Sequence, residues 1–256
     1  RERFIGDDES RPFKDYRDGK SIKDIAVTNE DLSGYKNSKK QDMSSFYYKS
    51  LLSYAEGLDA ISRGNYTWAT IKLYYSVYFS LRCSLLCRNV ILVRANGNLY
   101  YLKLETDATY KKPKEMSDHG GTIDVYTALF KTTDFLCSNL VEDKFSYSWI
   151  KQCREIVNYR DEIFHDPDVN ELWEKVVSDI AKNGIEKTIS TYIQDKSSSC
   201  FSPETAILAI PTYRIMATAQ EMKNEGISSI EEKQKLWVKS ILDGLIDNSF
   251  LKSIVF

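Results

Sequence analysis

Apolar residues recur every three or four positions along much of the chain, and this spacing predicts amphipathic helices. The first such series should form a helix that ends at Gly64: Met43, Tyr47, Leu51, Tyr54, Leu58 and Ile61. The next stretch begins at Asn65, reads NYTWATIKLYYSVYFSLRCSLLCRNVIL, and is apolar on nearly every side. A helix of this kind is contacted from several directions, so we expect it at the centre of a bundle. The short connection between the two makes them an antiparallel helical hairpin.

The pattern changes to strand-like after the central helix. VILVRANGNLYYLKLE is rich in β-branched and aromatic residues on both sides of Asn96-Gly97, a strong signal for a two-residue hairpin turn. We therefore expect one small β-hairpin inserted between helices. Helical spacing then returns from residue 123 to 140, and a further helix should cover about 147–165.

The last third of the chain carries further helix signals. Asp168 and Glu171 have the spacing of a capping box and should start a helix that Gly184 divides. Ser228 and Glu231 have the same spacing and should open a last helix, which carries Trp237, Ile241 and Leu245. Proline residues punctuate the segment between these two helices, at positions 203 and 211.

Together these elements predict an all-α protein, a helical bundle with a small inserted β-hairpin and a C-terminal helical extension. We expect a polar N-terminal arm or linker at residues 1–41, because this stretch is charged and only weakly periodic. The bundle should occupy residues 42–195, with the hairpin near 90–105, and the extension residues 196–256.

Composition limits the classes of partner. With 42% hydrophobic and 28% charged residues, the 256-residue chain resembles an ordinary globular protein. Its net charge of -2 and pI near 5.9 argue against a generally basic surface, so a polyanionic partner would need a local patch. No apolar run reaches membrane-spanning length, and nothing at the start resembles a signal peptide, so we expect a cytoplasmic protein without a membrane partner.

The five cysteines are scattered along the chain and lack the spacing of a zinc site. We expect them to be reduced thiols that pack as small core residues. No metal and no cofactor is expected.

A charged residue interrupts one apolar stripe. In the segment NYRDEIFHDP, Arg160 projects from near the centre of an apolar sector of about 120°. Its apolar neighbours are Cys153, Ile156, Val157, Ile163 and Phe164. Arginine is rarely buried without a partner, so an internal carboxylate, a subunit interface or a phosphate must compensate its charge.

His165 follows five residues later and points about 140° away from Arg160 on an ideal helix. Asp161 lies one turn before it, within hydrogen-bond reach. Pro167 should end or kink the helix close to His165, where the helix dipole and Asp161 would both favour the protonated ring. The two groups could still converge through the length of the arginine, a local kink or a second copy of the chain.

The sequence RDEIFH matches the R-x4-H motif of HEPN domains, with a polar residue, Asp161, after the arginine. The helix TWATIKLYYSVYFSLRCSLL also resembles the aromatic second helix of bacterial HEPN proteins, and the resemblance covers about residues 43–192. It implies a HEPN-like bundle and a metal-independent endoribonuclease whose two R-x4-H motifs face each other across a homodimer, often as a toxin or antiviral-defence effector. One departure is the Asp166-Pro167 step, since many family members continue the helix past the histidine.

The resemblance assigns catalytic roles to Arg160 and His165. Histidine can take a proton from a ribose 2′-hydroxyl or give one to the leaving 5′-oxygen, and arginine can bind the phosphate oxygens. Asp161 and Asn158 are supporting candidates, the first to orient the imidazole and the second to bind a phosphate or ribose. The expected products are a 2′,3′-cyclic phosphate and a 5′-hydroxyl.

Other residues allow two interpretations. Lys151 and Arg154 could extend a phosphate-binding track or form a solvated helix face. The cluster of Tyr74, Tyr75 and Tyr78 could stack on bases, but core packing is the favoured interpretation. His119 lies in SDHGG and is expected to be solvated in a loop.

A second function remains open beside the nuclease. The chain could be a non-catalytic, HEPN-like scaffold subunit of a multiprotein defence assembly that dimerises through the Arg160/His165 helix. A third possibility is a toxin controlled by an antitoxin that modifies a tyrosine near the motif, where Tyr159 is adjacent.

Overall fold

The computed structural model describes residues 22–24, 26–95, 97–160, 166–227, 230–246, 250 and 253–254, and of residues 159 and 160 it describes the backbone alone. The chain is 68% helical and 9% strand, so the all-α prediction with a small hairpin is confirmed. The helices are α1 (Asn29–Ser62), α2 (Tyr66–Cys87), α3 (Asp118–Phe130), α4 (Ser146–Glu155), α5 (Glu174–Asn183), α6 (Ile185–Gln194), α7 (Lys196–Ser199), α8 (Pro203–Asn224) and α9 (Glu232–Leu242). The strands are β1 (Val90–Ala95), β2 (Asn98–Lys103), β3 (Leu140–Val141) and β4 (Lys144–Phe145). Short 3₁₀ turns cover Ile22–Asp24 and Phe135–Cys137, and a π-helix covers Ile156–Arg160.

Helix α1 begins well before the predicted boundary at residue 42. Thr28 and Asp31 form a capping box, in which the Thr28 backbone N–H donates to the Asp31 carboxylate at 2.9 Å. Leu32 and Tyr35 are buried and continue the apolar stripe towards Met43, so residues 29–41 are helical rather than an arm. The sequence did not predict the first turns of this helix, because residues 29–41 are mostly polar and only a few of their core-facing positions are apolar. Residues 1–21 of the predicted arm lie outside the described part of the chain.

Helix α2 is the central helix of the bundle, as its sequence predicts. It packs against α1, α3, α4 and α8, and most of its residues are buried. Small residues allow α1 to approach closely: Ser50 of α1 bonds Ser80 of α2 at 2.7 Å, and a Cβ at Gly57 would meet Leu73 Cδ2 at 2.9 Å. The five cysteines are free and buried, which confirms their predicted place in the core.

The predicted β-hairpin is confirmed, and a second one was missed. Strands β1 and β2 pair antiparallel from Val90 opposite Lys103 to Ala95 opposite Asn98; Asn96 of the predicted turn lies outside the described residues. The helix predicted from the spacing of residues 123 to 140 ends at Phe130, so the prediction was wrong beyond that residue. Asp134 there caps a 3₁₀ turn, and Glu142 and Asp143 adopt positive φ angles of 45° and 63° in the turn between β3 and β4.

The capping box predicted at Asp168 and Glu171 was also wrong, because α5 begins at Glu174. The preceding residues form turns that bring Trp173 into the core, where its Nε1 donates to Thr70 Oγ1 at 2.9 Å. Gly184, with a φ of 80°, divides α5 from α6 as predicted.

The C-terminal segment belongs to the same core. Pro203 begins α8, whereas Pro211 lies inside it and does not end it. Helix α9 begins with a capping box between Glu231 and Gln234 and ends at Leu242, so the predicted extension to Leu245 was too long. Ser228, its predicted start, lies outside the described residues. Within the part of the chain that the structure describes, no helix has both the length and the apolar character needed to cross a membrane.

Candidate functional site

The segment that carries the motif follows α4, where the chain passes into the π-helix. Asn158 is exposed there, and Arg160 is the last residue of the π-helix by its backbone. The Arg160 side chain, Asp161 and His165 lie outside what the structure describes. A π-helical turn is rare and is frequently found at functional positions.

The chain is anchored directly after the motif. The Asp166 carboxylate accepts hydrogen bonds from the Thr67 backbone N–H, at 3.1 and 3.3 Å to its two oxygens. Thr67 lies in the first turn of α2, whose N-cap Asn65 makes no side-chain hydrogen bond. Asp166 therefore satisfies a free N–H at this helix start, where the positive end of the helix dipole also favours a carboxylate.

A cavity of about 660 Å³ lies beside the π-helix. Trp149, Ile156 and Val157 contribute to its apolar lining, and three carboxylates also line it: Glu142, Glu171 and Glu204. Carboxylates repel phosphate, so this cavity does not suit an RNA backbone.

The two proposed basic contacts on α4 have different surroundings. Lys151 forms an ion pair with Glu155 at 3.4 Å. The Arg154 guanidinium instead lies over two rings of α2, at 5.7 Å from the centre of Tyr74 and 5.9 Å from that of Tyr75. Arg154 is therefore held against aromatic residues of the central helix.

His119 is not solvated in a loop, so that expectation was wrong. It is half-buried in the first turn of α3, and its Nδ1 lies 2.7 Å from the Tyr74 hydroxyl. The imidazole centre is 4.3 Å from the ring of Tyr78 and 5.6 Å from that of Tyr75. Burial lowers the pKa of His119, and the nearby cation of Arg154 lowers it further.

The tyrosines of this cluster divide into core and surface. Tyr74 and Tyr78 are buried, which confirms the core-packing interpretation for them, while Tyr75 is half-exposed. Burial raises the pKa of Tyr74, so it is a protonated phenol beside His119. Sequence reasoning missed this histidine–tyrosine–arginine cluster because its members come from α2, α3 and α4.

Among the described residues, Arg214 of α8 is an arginine that is fully buried. Its guanidinium is 1% exposed and lies 3.0 Å from Asp134 and 3.3 Å from Glu221, and it donates to the Tyr126 hydroxyl at 2.8 Å. Burial alone would raise the pKa of Asp134, but Arg214 and a hydrogen bond from Tyr147 outweigh it and lower this pKa. Arg214 stands in the apolar run AILAIPTYRIMATA, a signal of the kind noted at Arg160.

Among the described residues no group of His, Cys, Asp and Glu could hold a metal ion. No protein-family model, curated protein or solved structure matches the chain.

Proposed function

We propose that the chain is a metal-independent endoribonuclease of the HEPN type, a toxin or antiviral-defence effector that acts as a homodimer. The observation that carries the proposal is the sequence RDEIFH, whose first residue is the last of a π-helix that packs against the tyrosine-rich helix α2 of an all-α bundle. The motif and this order of helices are what HEPN domains share.

In the proposed reaction, His165 in its neutral form accepts the proton of a ribose 2′-hydroxyl. The 2′-oxygen attacks the adjacent phosphorus and the bond from phosphorus to the 5′-oxygen breaks, while a protonated His165 from the second copy gives its proton to the leaving oxygen. Arg160 binds the phosphate oxygens and stabilises the charge that grows on them in the transition state. Asp161 orients the imidazole, and the exposed Asn158 is available to bind a phosphate or ribose.

The anchoring of Asp166 supports this assignment. Catalytic groups must be held in position by their surroundings, and residues 161–165 lie between a π-helix and a carboxylate bonded to the central helix. The described chain therefore contacts the central helix immediately before and immediately after residues 161–165.

The test is incubation of the purified protein with total RNA and with tRNA in the presence of a chelator. We expect cleavage of the parent, and loss of at least a hundredfold in rate for Arg160→Ala and for His165→Ala, because each removes a group that acts on the transition state. Arg63→Ala, which removes an exposed arginine, should cleave like the parent.

Two results would contradict the proposal. One is full cleavage by His165→Ala, and the other is an RNA-cleaving activity that the chelator abolishes.

Light scattering of the eluting protein measures the mass of the active species, which we expect to be that of a dimer.

A further inference from the structure

Helix α2 has one stripe of residues that are exposed or partly exposed. All of its residues are described, and those that are not buried are Trp68, Lys72, Tyr75, Phe79 and Arg82. At 100° per residue these positions fall within a sector of about 80°. The rest of the helix packs into the core, so this surface consists of aromatic and basic residues.

Helix α1 adds to one side of the stripe. The ring of Phe46 stacks near Phe79, with centres 6.4 Å apart. The Arg82 guanidinium lies 4.9 Å from the centre of Phe46, and the Lys49 ammonium lies 5.5 Å from it. Aromatic and cationic groups are therefore mixed across the stripe as well as along it.

The histidine–tyrosine–arginine cluster lies on the other side. Tyr75 is the residue that both share, since His119 and Arg154 each contact its ring. His119 uses Nδ1 for its bond to Tyr74, which leaves Nε2 as the ring nitrogen for a ligand.

Among the described residues around the stripe, cations exceed carboxylates, although the whole chain has a net charge of -2. The cations are Lys49, Lys72, Arg82, Lys151 and Arg154. The nearby carboxylates are Glu56, 2.5 Å from Lys72, and Glu155, 3.4 Å from Lys151, together with Asp42 one turn before Phe46 and Asp118 beside His119, which pairs with Arg94 at 2.9 Å. Such a patch is the local basic surface that an acidic protein needs to bind a polyanion.

We propose that the α2 stripe binds single-stranded RNA, with bases stacked on Trp68, Tyr75 and Phe79 and phosphates bound by Lys72, Arg82 and Arg154. Stacking platforms interleaved with cations are the common means of binding an unpaired strand. From Trp68 to Arg82 the stripe runs about 21 Å, which is enough for a few nucleotides.

The inference rests on the proposed function and extends it, because the stripe begins beside Asp166, the residue directly after the motif. Trp68 follows Thr67, whose backbone N–H binds Asp166 directly after the motif. Trp68 is also 52% exposed, so the end of the stripe nearest the motif is open. An RNA strand on the stripe would reach Asp166, the residue directly after His165 in the sequence.

A second copy of the chain fits this surface less well. A symmetric contact between two copies would place the same patch against itself and bring its cations together. Duplex RNA is also disfavoured, since its bases are already stacked and cannot lie on the rings.

The test is fluorescence anisotropy with a labelled single-stranded 12-nucleotide RNA, measured in the Arg160→Ala background so that cleavage does not interfere. We expect Trp68→Ala to weaken binding about tenfold, because one stacked base is lost. Arg82→Gln should weaken binding and reduce its salt dependence. Trp237→Ala is the matched control, since Trp237 is 56% exposed on α9, and it should bind like the background protein.

Unchanged binding in Trp68→Ala and Arg82→Gln would overturn the inference, as would equal affinity for a duplex of the same length. Loss of dimer mass in Trp68→Ala with unchanged RNA affinity would instead assign the stripe to a second copy. The proposed function is tested separately. If the parent cleaves RNA and the KM of Trp68→Ala is unchanged, the nuclease proposal stands and RNA binding by the stripe is rejected. If RNA binding depends on Trp68 but the parent does not cleave RNA, the stripe stands and the nuclease proposal is rejected.

Discussion

Arg214 carries a charge in the centre of the protein and is held there by Asp134, Glu221 and tyrosine hydroxyl groups. We expect Arg214→Met to lower the free energy of unfolding by about 3–5 kcal/mol, since it leaves the buried Asp134 carboxylate without its cation and Glu221 with Arg88 alone. Urea denaturation followed by circular dichroism measures this. Arg63→Ala, which breaks an exposed ion pair with Asp59, should change stability by less than about 1 kcal/mol, and an equal loss in both variants would refute the account of Arg214.

His119 should titrate below the ordinary histidine range, because burial and the cation of Arg154 both disfavour its protonated form. The unfolded chain, with a histidine pKa of about 6.5, then takes up the proton first as the pH falls. Stability from this residue is therefore present above about pH 6.5 and is lost as the pH falls through the lower, folded-state pKa. Titration of the ring signals by NMR tests this, and a midpoint above the ordinary value would contradict it.

The chain has two histidines, so a His165→Gln variant assigns the signals. Around His119, Asp118 opposes the lowering of its pKa, while Lys151 and Arg82 act with Arg154. His119→Gln should reduce the slope of stability against pH between the folded-state pKa and about pH 6.5.

The two arginines show what a sequence reveals at the residue scale. An arginine in an apolar run predicts that a compensating partner exists, and Arg214 has such partners in Asp134 and Glu221. Asp134 lies 80 residues before Arg214 in the sequence, and Glu221 lies two helical turns after it. Helical spacing alone therefore identifies only Glu221 as a partner. The cluster at His119 was missed for the same reason.

Among the elements, α2 depends on a residue from another part of the chain. Asp166→Ala should lower the free energy of unfolding by about 0.5–2 kcal/mol, because the Thr67 N–H loses its acceptor and the dipole loses an anion. Asp166→Asn keeps an acceptor oxygen and should lose less. Thermal denaturation of both variants measures the difference, and equal stability of Asp166→Ala and the parent would contradict this role of Asp166.

The elements that were predicted well are those with a strong local signal. The all-round apolar α2 and the Asn96-Gly97 hairpin were both clear from the sequence, and so was the division at Gly184. The start of α1 was missed because its first turns are polar outside Leu32 and Tyr35. The turn between β3 and β4 has positive φ at Glu142 and Asp143, residues that give little warning of such a conformation.

For the whole molecule, net charge was a poor guide to local surface. The chain is slightly acidic, yet cations and aromatic residues that are at least partly exposed lie together on one face of α2, while carboxylates line the cavity beside the π-helix. Helical spacing in the sequence already places the residues of the stripe on one side of α2. Which side of α2 stays accessible to solvent depends on how α1, α3, α4 and α8 pack around it.

The most direct measurement of the central claim is cleavage of an RNA oligonucleotide with a single 2′-deoxy substitution. The cleaved position is first mapped on the unmodified strand, and the substitution is then placed on the nucleotide whose 2′-hydroxyl would attack. We predict that cleavage at that bond disappears, that other bonds are cut as before, and that the unmodified strand yields a 2′,3′-cyclic phosphate. Continued cleavage at the substituted nucleotide would contradict the account.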